Sequence, residues 1–273
     1  MPTLYLVATP IGNLGDFSQR AIKTLNSVDF IAAEDTRVSL KLLNHFNIKK
    51  PVVSYHEHNA RGRGEQIISR ILAGESCAAV TDAGMPCISD PGENLVTLCA
   101  ENNIPVVVIP GPSAVLSALA ASGLPCGRFS FEGFLSVKKT SRITHLNEIK
   151  NDTRTLVFFE APHKLLKTLK DMCEILGDRR AALARELTKM HEEIMRTTLA
   201  KAAAYYAENT PRGEFVIVVE GKKPEEKGRV ALEDAVKIAE NMIQKGEKPA
   251  AAARDAARET GYKKSEVYDR LIR

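Results

Sequence analysis

From Thr3 to Val219 short apolar runs alternate with stretches of helical period, and this alternation limits the fold more than any single motif does. Strand-like runs lie at 3–9, 28–33, 52–53, 77–81 and 106–109. Between them come helical stretches at 17–25, around Leu40, Leu43 and Phe46, at Ile67, Ile68, Ile71 and Leu72, and near 92–102. A strand that follows a helix each time returns in the same direction, so the pattern predicts a mostly parallel sheet with helices on its faces. A small-residue helix at 115–122 closes the series.

The texture changes at Pro125-Cys126-Gly127, a natural hinge. Beyond it the alternation resumes with strands at 129–134, 156–159, 181–185 and 215–219, and with helices from Lys138-Lys139 to Ile149 and over 163–176. Gly221 to Gly228 reads as a linker. Three helices follow at 232–243, 249–259 and 264–272, with turns at Gly246 and Gly261, a small module of helix-turn-helix type. The expected organisation is therefore an α/β domain over 1–125, a second α/β domain over 126–221, and a helical module over 229–273.

Glycine or proline marks the end of four strands: Thr9-Pro10-Ile11-Gly12-Asn13, Thr81-Asp82-Ala83-Gly84, Pro110-Gly111-Pro112-Ser113-Ala114 and Phe159-Glu160-Ala161-Pro162-His163. In open α/β sheets ligands bind at the carboxyl ends of strands, so four such segments predict a lined cleft. Gly84 lets the backbone approach a ligand, while Pro86 and Pro91 stiffen the loop, with Pro91 placed to open the next helix. The alternative is a rigid loop that holds nothing. No segment has the spacing G-x-x-x-x-G-K-[ST] or G-x-G-x-x-G, which excludes the common ATP and NAD fingerprints.

Net charge is +4, with 13 Lys and Arg against 10 Asp and Glu from Gly221 onward. That surplus suits a polyanion, although mixed charge also describes a solvated face. Aromatic residues are 5% of the chain and there is no Trp, so stacking platforms are not the first expectation for nucleic-acid recognition. The N-terminus has no basic lead and no long apolar run, which predicts a cytoplasmic protein. Five cysteines without a C-x-x-C pair predict reduced thiols rather than a disulfide framework or zinc site.

Leu4 to Asp16, Glu34-Asp35-Thr36-Arg37, Thr81 to Gly92, Pro110 to Ala114, Phe158 to His163 and Arg185 to Glu193 together resemble the tetrapyrrole methylase-like superfamily of S-adenosylmethionine-dependent methyltransferases, and within it the branch that modifies small-subunit ribosomal RNA. The resemblance spans nearly the whole α/β body and continues into the helical module. It implies two α/β domains with the cofactor, S-adenosyl-L-methionine, in the cleft between them. It also implies a homodimer that methylates the 2′-oxygen of a cytidine in the decoding region; the expected partner is small-subunit ribosomal RNA, in the assembled 30S subunit or as free RNA. On this chain it places the cofactor at Pro10, Asp82, Ala83, Gly84, Ile88, Gly111, Ser113, Ala114, Phe159 and Leu187. Met85 and Cys87 depart from the Thr and Leu common in that loop.

Methyl transfer needs no metal; the protein must align the nucleophile and remove its proton. Glu34, Asp35, Glu160 and Glu186 are the candidates to receive it. Backbone amides at 82–84 and at the helix start near Ser113 and Ala114 suit the cofactor's polar ends, and Ser113 equally suits a plain N-cap. Asp35 and Thr36 have the same two readings, capping or substrate contact. Arg37, Arg61, Arg63, Lys138 and Lys139 are candidate phosphate contacts, and Arg142 joins them. His56 and His58 lie together without a second ligand cluster, so surface or substrate contact suits them better than metal binding. A tetrapyrrole-like small-molecule methyltransferase and a noncatalytic ribosome-binding factor are the competing readings.

Overall fold

The computed structural model describes residues 1–89, 92–223 and 231–272; Pro91 and most of the linker at 221–228 lie outside them. Residues 1–222 form one compact unit and residues from 223 onward another. No helix among the described residues is long and apolar enough to cross a membrane.

The first sheet holds β1 (Leu4–Val7), β2 (Phe30–Ala33), β3 (Val52–Ser54), β4 (Cys77–Val80) and β5 (Val106–Ile109) in the order β3-β2-β4-β1-β5. Every neighbouring pair is parallel. The connections carry α1 (Gln19–Ser27), α2 (Thr36–His45), α3 (Ala60–Leu72) and α4 (Gly92–Glu101). The β2 and β4 strands are buried along their whole length, as parallel strands covered on both faces must be. Period-2 geometry sends Leu4, Leu6, Phe30, Ala32, Cys77 and Ala79 into one core and Val7, Ile31, Ala33, Ala78 and Val80 into the other. Since all five strands run one way, the loops after β1, β2, β4 and β5 emerge at the same edge.

After β5 the chain enters α5 (Ala114–Ala121), and then β6 (Phe129–Phe134), α6 (Lys139–Ile149), β7 (Thr155–Glu160), α7 (Pro162–Leu176), β8 (Arg180–Arg185), β9 (Glu193–Thr198), α8 (Leu199–Glu208) and β10 (Phe215–Val219). The order of this sheet is β6-β7-β10-β8-β9. Only β6 and β7 run parallel; β10 is antiparallel to both β7 and β8, and β9 to β8. The second half therefore departs from the mostly parallel sheet that alternation predicts. The reason is β9, a half-exposed edge strand of polar composition, which has no apolar run and turns the chain back directly after β8.

Both faces of this sheet are covered. Leu146, Leu165, Leu169, Met172 and Leu199 pack against Phe215, Ile217 and Val219 on one side. On the other, Val115, Ala118 and Leu119 of α5 meet Val216, Val218 and Ala182, where small side chains bring the helix close. The helix that leaves the first sheet thus seals the second.

The second unit holds α9 (Leu232–Gln244), α10 (Pro249–Thr260) and α11 (Lys264–Leu271) around an alanine-rich core of Ala235, Ala239, Ala252, Ala253, Ala256 and Val267. Gly261, at φ +79°, ends α10 in the left-handed conformation that glycine takes without strain. From 231 to 272 acidic and basic side chains are equal in number. The cationic surplus of the segment lies outside these helices, in the linker and at Arg273.

Candidate active site

Three loops at the carboxyl edge of the first sheet are locked together. Thr9 N–H donates to Gly84 O at 2.9 Å, Gly84 N–H returns a bond to Thr9 O at 3.1 Å, and the buried Thr9 hydroxyl reaches Thr81 O at 3.1 Å. Gly84 has φ +89°, and a Cβ there would stand between Ile11 Cγ2 at 3.4 Å and Pro112 O at 3.6 Å. A Cβ on Gly111 would lie 2.8 Å from Ala8 Cβ, so the loop after β5 lies directly on β1.

Carboxylates gather at the ends of β2 and β4. Glu34 Oε2 accepts from the Thr81 hydroxyl at 2.6 Å and from Asp82 N–H at 3.4 Å, while Asp82 Oδ1 accepts Asp35 N–H at 3.1 Å. Burial raises the pKa of Asp82, against the Asp35 N–H bond that lowers it, and the charges of Glu34 and Asp35 add to the rise. Asp35 instead caps α2 through Arg37 N–H at 2.8 Å and pairs with the Arg37 guanidinium at 2.6 Å, which holds its pKa at about 2. Glu34 Oε1 has no hydrogen-bond partner among the described residues.

The second sheet supplies the other wall. Glu160 is almost wholly buried and saturated: Ala161 N–H and Lys164 Nζ reach Oε1, each at 2.8 Å, and the Thr168 hydroxyl reaches Oε2 at 2.5 Å. Glu186 sits at φ +51°, and its Oε1 accepts from Lys189 Nζ at 2.8 Å and Glu214 N–H at 2.9 Å. The Lys189 bond lowers its pKa, and the Glu214 amide adds to the effect. Lys189 also reaches Glu214 Oε2 at 2.9 Å.

A cleft of about 620 Å³ opens between these walls. Of the expected cofactor residues, Asp82, Ala83, Gly84, Ile88, Ser113, Ala114, Phe159 and Leu187 line it; Pro10 and Gly111 do not. The amides of Asp82 and Gly84 are already engaged, whereas Ala83 N–H and the first-turn amides of Ala114 and Val115 have no acceptor among the described residues and are free to meet a ligand. Ser113 caps α5 through Leu116 N–H at 3.4 Å, as its plain reading holds. Glu34 and Glu160 line the cleft, whereas Asp35 and Glu186 stand outside its lining.

Arg37, Arg61, Arg63, Lys138 and Lys139 are exposed and outside the lining. Arg142 is no phosphate contact: it is buried against Asp171, with NH2 and Oδ2 2.6 Å apart. Sequence reasoning missed Phe134, Glu214 and Val216, all of which line the cleft. Glu214 immediately precedes β10 and Val216 is its second residue, and because that strand is antiparallel to its neighbours its leading end, not its last residues, meets the ligand edge. Phe134 ends a strand just ahead of Lys138-Lys139, and that juxtaposition is its signal in the sequence.

The family of Tetrapyrrole (Corrin/Porphyrin) Methylases matches residues 3–203. The chain is 48% identical over 269 residues to the ribosomal RNA small subunit methyltransferase I of Synechocystis sp., covering 98% of this chain and 96% of that one. It is 47% identical over 271 residues to the protein of the same name from Halalkalibacterium halodurans, at 98% and 93% coverage. The fold is similar to that of the uroporphyrin-III C-methyltransferase from Thermus thermophilus solved with S-adenosyl homocysteine, with TM-score 0.54, 21% identity, and coverage of 81% and 97%.

Proposed function

The chain belongs to the tetrapyrrole (corrin/porphyrin) methylase family, and from that premise we propose that it transfers the methyl group of S-adenosylmethionine to the ribose 2′-oxygen of a cytidine in the decoding region of small-subunit ribosomal RNA. It is a methyltransferase of ribosomal RNA, carried over from relatives that span nearly its whole length. The cleft carries this reading: apolar surface, amide donors and a carboxylate oxygen without a partner among the described residues come together in it.

The lining suits S-adenosylmethionine. Ile11, Ile88, Phe159, Leu187 and Val216 offer apolar surface to a flat base, and the α5 amides at Ala114 and Val115 suit a carboxylate. The Cβ missing at Gly84 leaves room between the loops after β1 and β5. When bound, the cofactor supplies a methyl group made electrophilic by its sulfonium. The chain must then hold a ribose hydroxyl in line and take its proton.

We assign that proton to Glu34. Glu160 has both oxygens occupied, Asp35 is held by Arg37, and Glu186 lies outside the lining. Thr81 and the Asp82 amide fix one oxygen of Glu34 and leave the other for the substrate. Arg37, Arg61, Arg63, Lys138 and Lys139 hold phosphates outside the cleft, which makes binding steeply dependent on salt. The working form is a cytoplasmic homodimer acting on the assembled 30S subunit, and its α/β domains, 1–125 and 126–221, supply the two walls.

The test is transfer of labelled methyl from S-adenosylmethionine to small subunits that lack their native modifications, with nucleotide mapping and free rRNA in parallel. One ribose-linked label in the decoding region supports the proposal. Cofactor binding with no transfer to either RNA would replace it with a small-molecule enzyme, and no cofactor binding with a noncatalytic factor.

A further inference from the structure

Phe134, at the end of β6, is 57% exposed although it lines the cleft. Its ring leans on Phe159 at 5.4 Å, and Phe159 on Phe131 at 4.9 Å. Lys164 Nζ lies 5.5 Å from the Phe134 centroid and donates to Leu135 O at 3.2 Å. The next carbonyls, Ser136 O and Val137 O, are held by Arg142 NH1 at 2.8 and 3.1 Å, while Asp171 fixes the same guanidinium from behind. The loop 135–138 is thus pinned from its inner side by two cations. What it shows outward is Phe134, the 76%-exposed Val137, and the exposed Lys138 and Lys139.

Nothing in the packing of the fold calls for a rigid loop with this surface. A phenylalanine ring set in water at a cleft mouth, in a chain poor in aromatics, has the makings of a contact surface for a flat partner. An enzyme that acts on one nucleotide of a folded RNA fixes its position most firmly by drawing that nucleotide out of its stack, and the extruded base then lies against aromatic or apolar side chains. The neighbouring lysines match the phosphates that flank such a base.

We propose that the lip formed by Phe134 and Val137 is the seat of the target nucleobase, with Lys138 and Lys139 on the adjoining phosphates. This rests on the RNA methylation reading. The base stacks on Phe134, which delivers its ribose to the cleft floor near Glu34. The buried Arg142–Asp171 pair keeps the lip rigid and makes no contact with RNA.

The test uses the full chain and small ribosomal subunits lacking their native modifications, with Phe134 changed to Ala, Leu and Trp. Three quantities are followed: kcat/KM for the subunits, Kd for S-adenosylmethionine by titration, and sedimentation. Stacking predicts that Phe134→Ala and Phe134→Leu each lower kcat/KM by about tenfold or more, while Phe134→Trp retains it within about threefold. Cofactor Kd and sedimentation stay as in the wild type. Full activity in Phe134→Leu would overturn the proposal by reducing Phe134 to apolar packing. A parallel loss of cofactor affinity would give the ring to the cofactor, and a change of sedimentation would give it to a subunit contact; either overturns the proposal. If the wild type itself methylates no RNA, it is the reading beneath that fails.

Discussion

Thr81 donates its hydroxyl hydrogen to Glu34 Oε2 over 2.6 Å, joining the first residues beyond two neighbouring parallel strands. The register that pairs Ala33 with Val80 places these two side by side, so the ladder between β2 and β4 ends in a side-chain bond at the cleft. If Glu34 takes the ribose proton, Glu34→Gln lowers kcat by about 10²–10⁴-fold with cofactor affinity intact. Thr81→Val loses about tenfold by letting Glu34 turn. Because Thr81 acts through Glu34, the double variant is no slower than Glu34→Gln alone. A double variant showing the product of both losses would separate the two residues.

Asp82 carries the cleft's raised pKa, with burial as its leading cause. A carboxyl whose folded pKa lies above its unfolded value favours folding in its protonated form. That contribution is complete below the unfolded pKa and is lost as pH rises through the folded one. Asp82→Asn keeps an oxygen for Asp35 N–H but has no charge to desolvate. Its stability relative to the wild type should therefore rise as pH climbs above the ordinary aspartate pKa of about 4 and the raised carboxyl ionises. Asp82→Ala loses the acceptor as well and should weaken cofactor binding far more than it lowers Tm. Unchanged cofactor affinity in a folded Asp82→Ala protein would remove the residue from the site.

Gly111 stands outside the lining of the cleft, yet it decides where the α5 amides stand. Its missing Cβ would meet Ala8 Cβ at 2.8 Å, and Ala8 is buried at the end of β1 and has no room to withdraw. Gly111→Ala should push the loop after β5 outward, costing about 1–3 kcal/mol in urea unfolding. Cofactor affinity should fall with it, since Ala114 and Val115 follow the loop. A stable variant with normal affinity would show that the loop adapts freely.

The parts of this site legible in the sequence are those that obey parallel-sheet rules. Thr9 to Asn13, Glu34, Thr81 to Gly84 and Ser113-Ala114 all follow parallel strands, and glycine or proline marks most of them. Glu214 and Val216 escaped because β10 runs backward and presents its leading end, with the residue just before it, to the cleft. Arg142 was misread for a different reason: a basic residue beside Lys138-Lys139 looks like a phosphate contact, and only Asp171, 29 residues on, draws it inside. Resemblance supplied the cofactor and the substrate, which no spacing in the chain encodes.

Arg142 and Asp171 form the buried ion pair that braces the lip. Their side chains are 7% and 11% exposed. Removing one partner leaves the other charge buried, so Asp171→Ala should lose about 3–5 kcal/mol in urea unfolding. Replacing both, as Arg142→Met with Asp171→Leu, should recover much of that stability while freeing Ser136 O and Val137 O. If the double variant refolds to wild-type stability but methylates small subunits poorly at normal cofactor affinity, the brace serves the lip. Equal stability and equal turnover would show that it serves packing alone.

Glu186 behaves oppositely to Asp82. Its backbone is left-handed at φ +51°, and Gly213 makes room for it, since a Cβ there would lie 2.5 Å from Glu186 Cγ. The Lys189 ammonium and the Glu214 amide hold its pKa below the usual glutamate value. A depressed folded pKa contributes stability that is present above the unfolded pKa and disappears as pH falls through the folded one. Glu186→Gln retains an acceptor for Glu214 N–H and loses only the charge facing Lys189. It should cost about 0.5–1 kcal/mol at pH 7, less at high salt because both groups are partly exposed, and the difference should shrink steadily below about pH 4.5. Leu187 lines the cleft between Glu186 and Thr188, so cofactor affinity should weaken in the same variant over the same pH range. A cost that stays constant from pH 7 to the acid limit would mean that the Lys189 contact adds nothing to the fold.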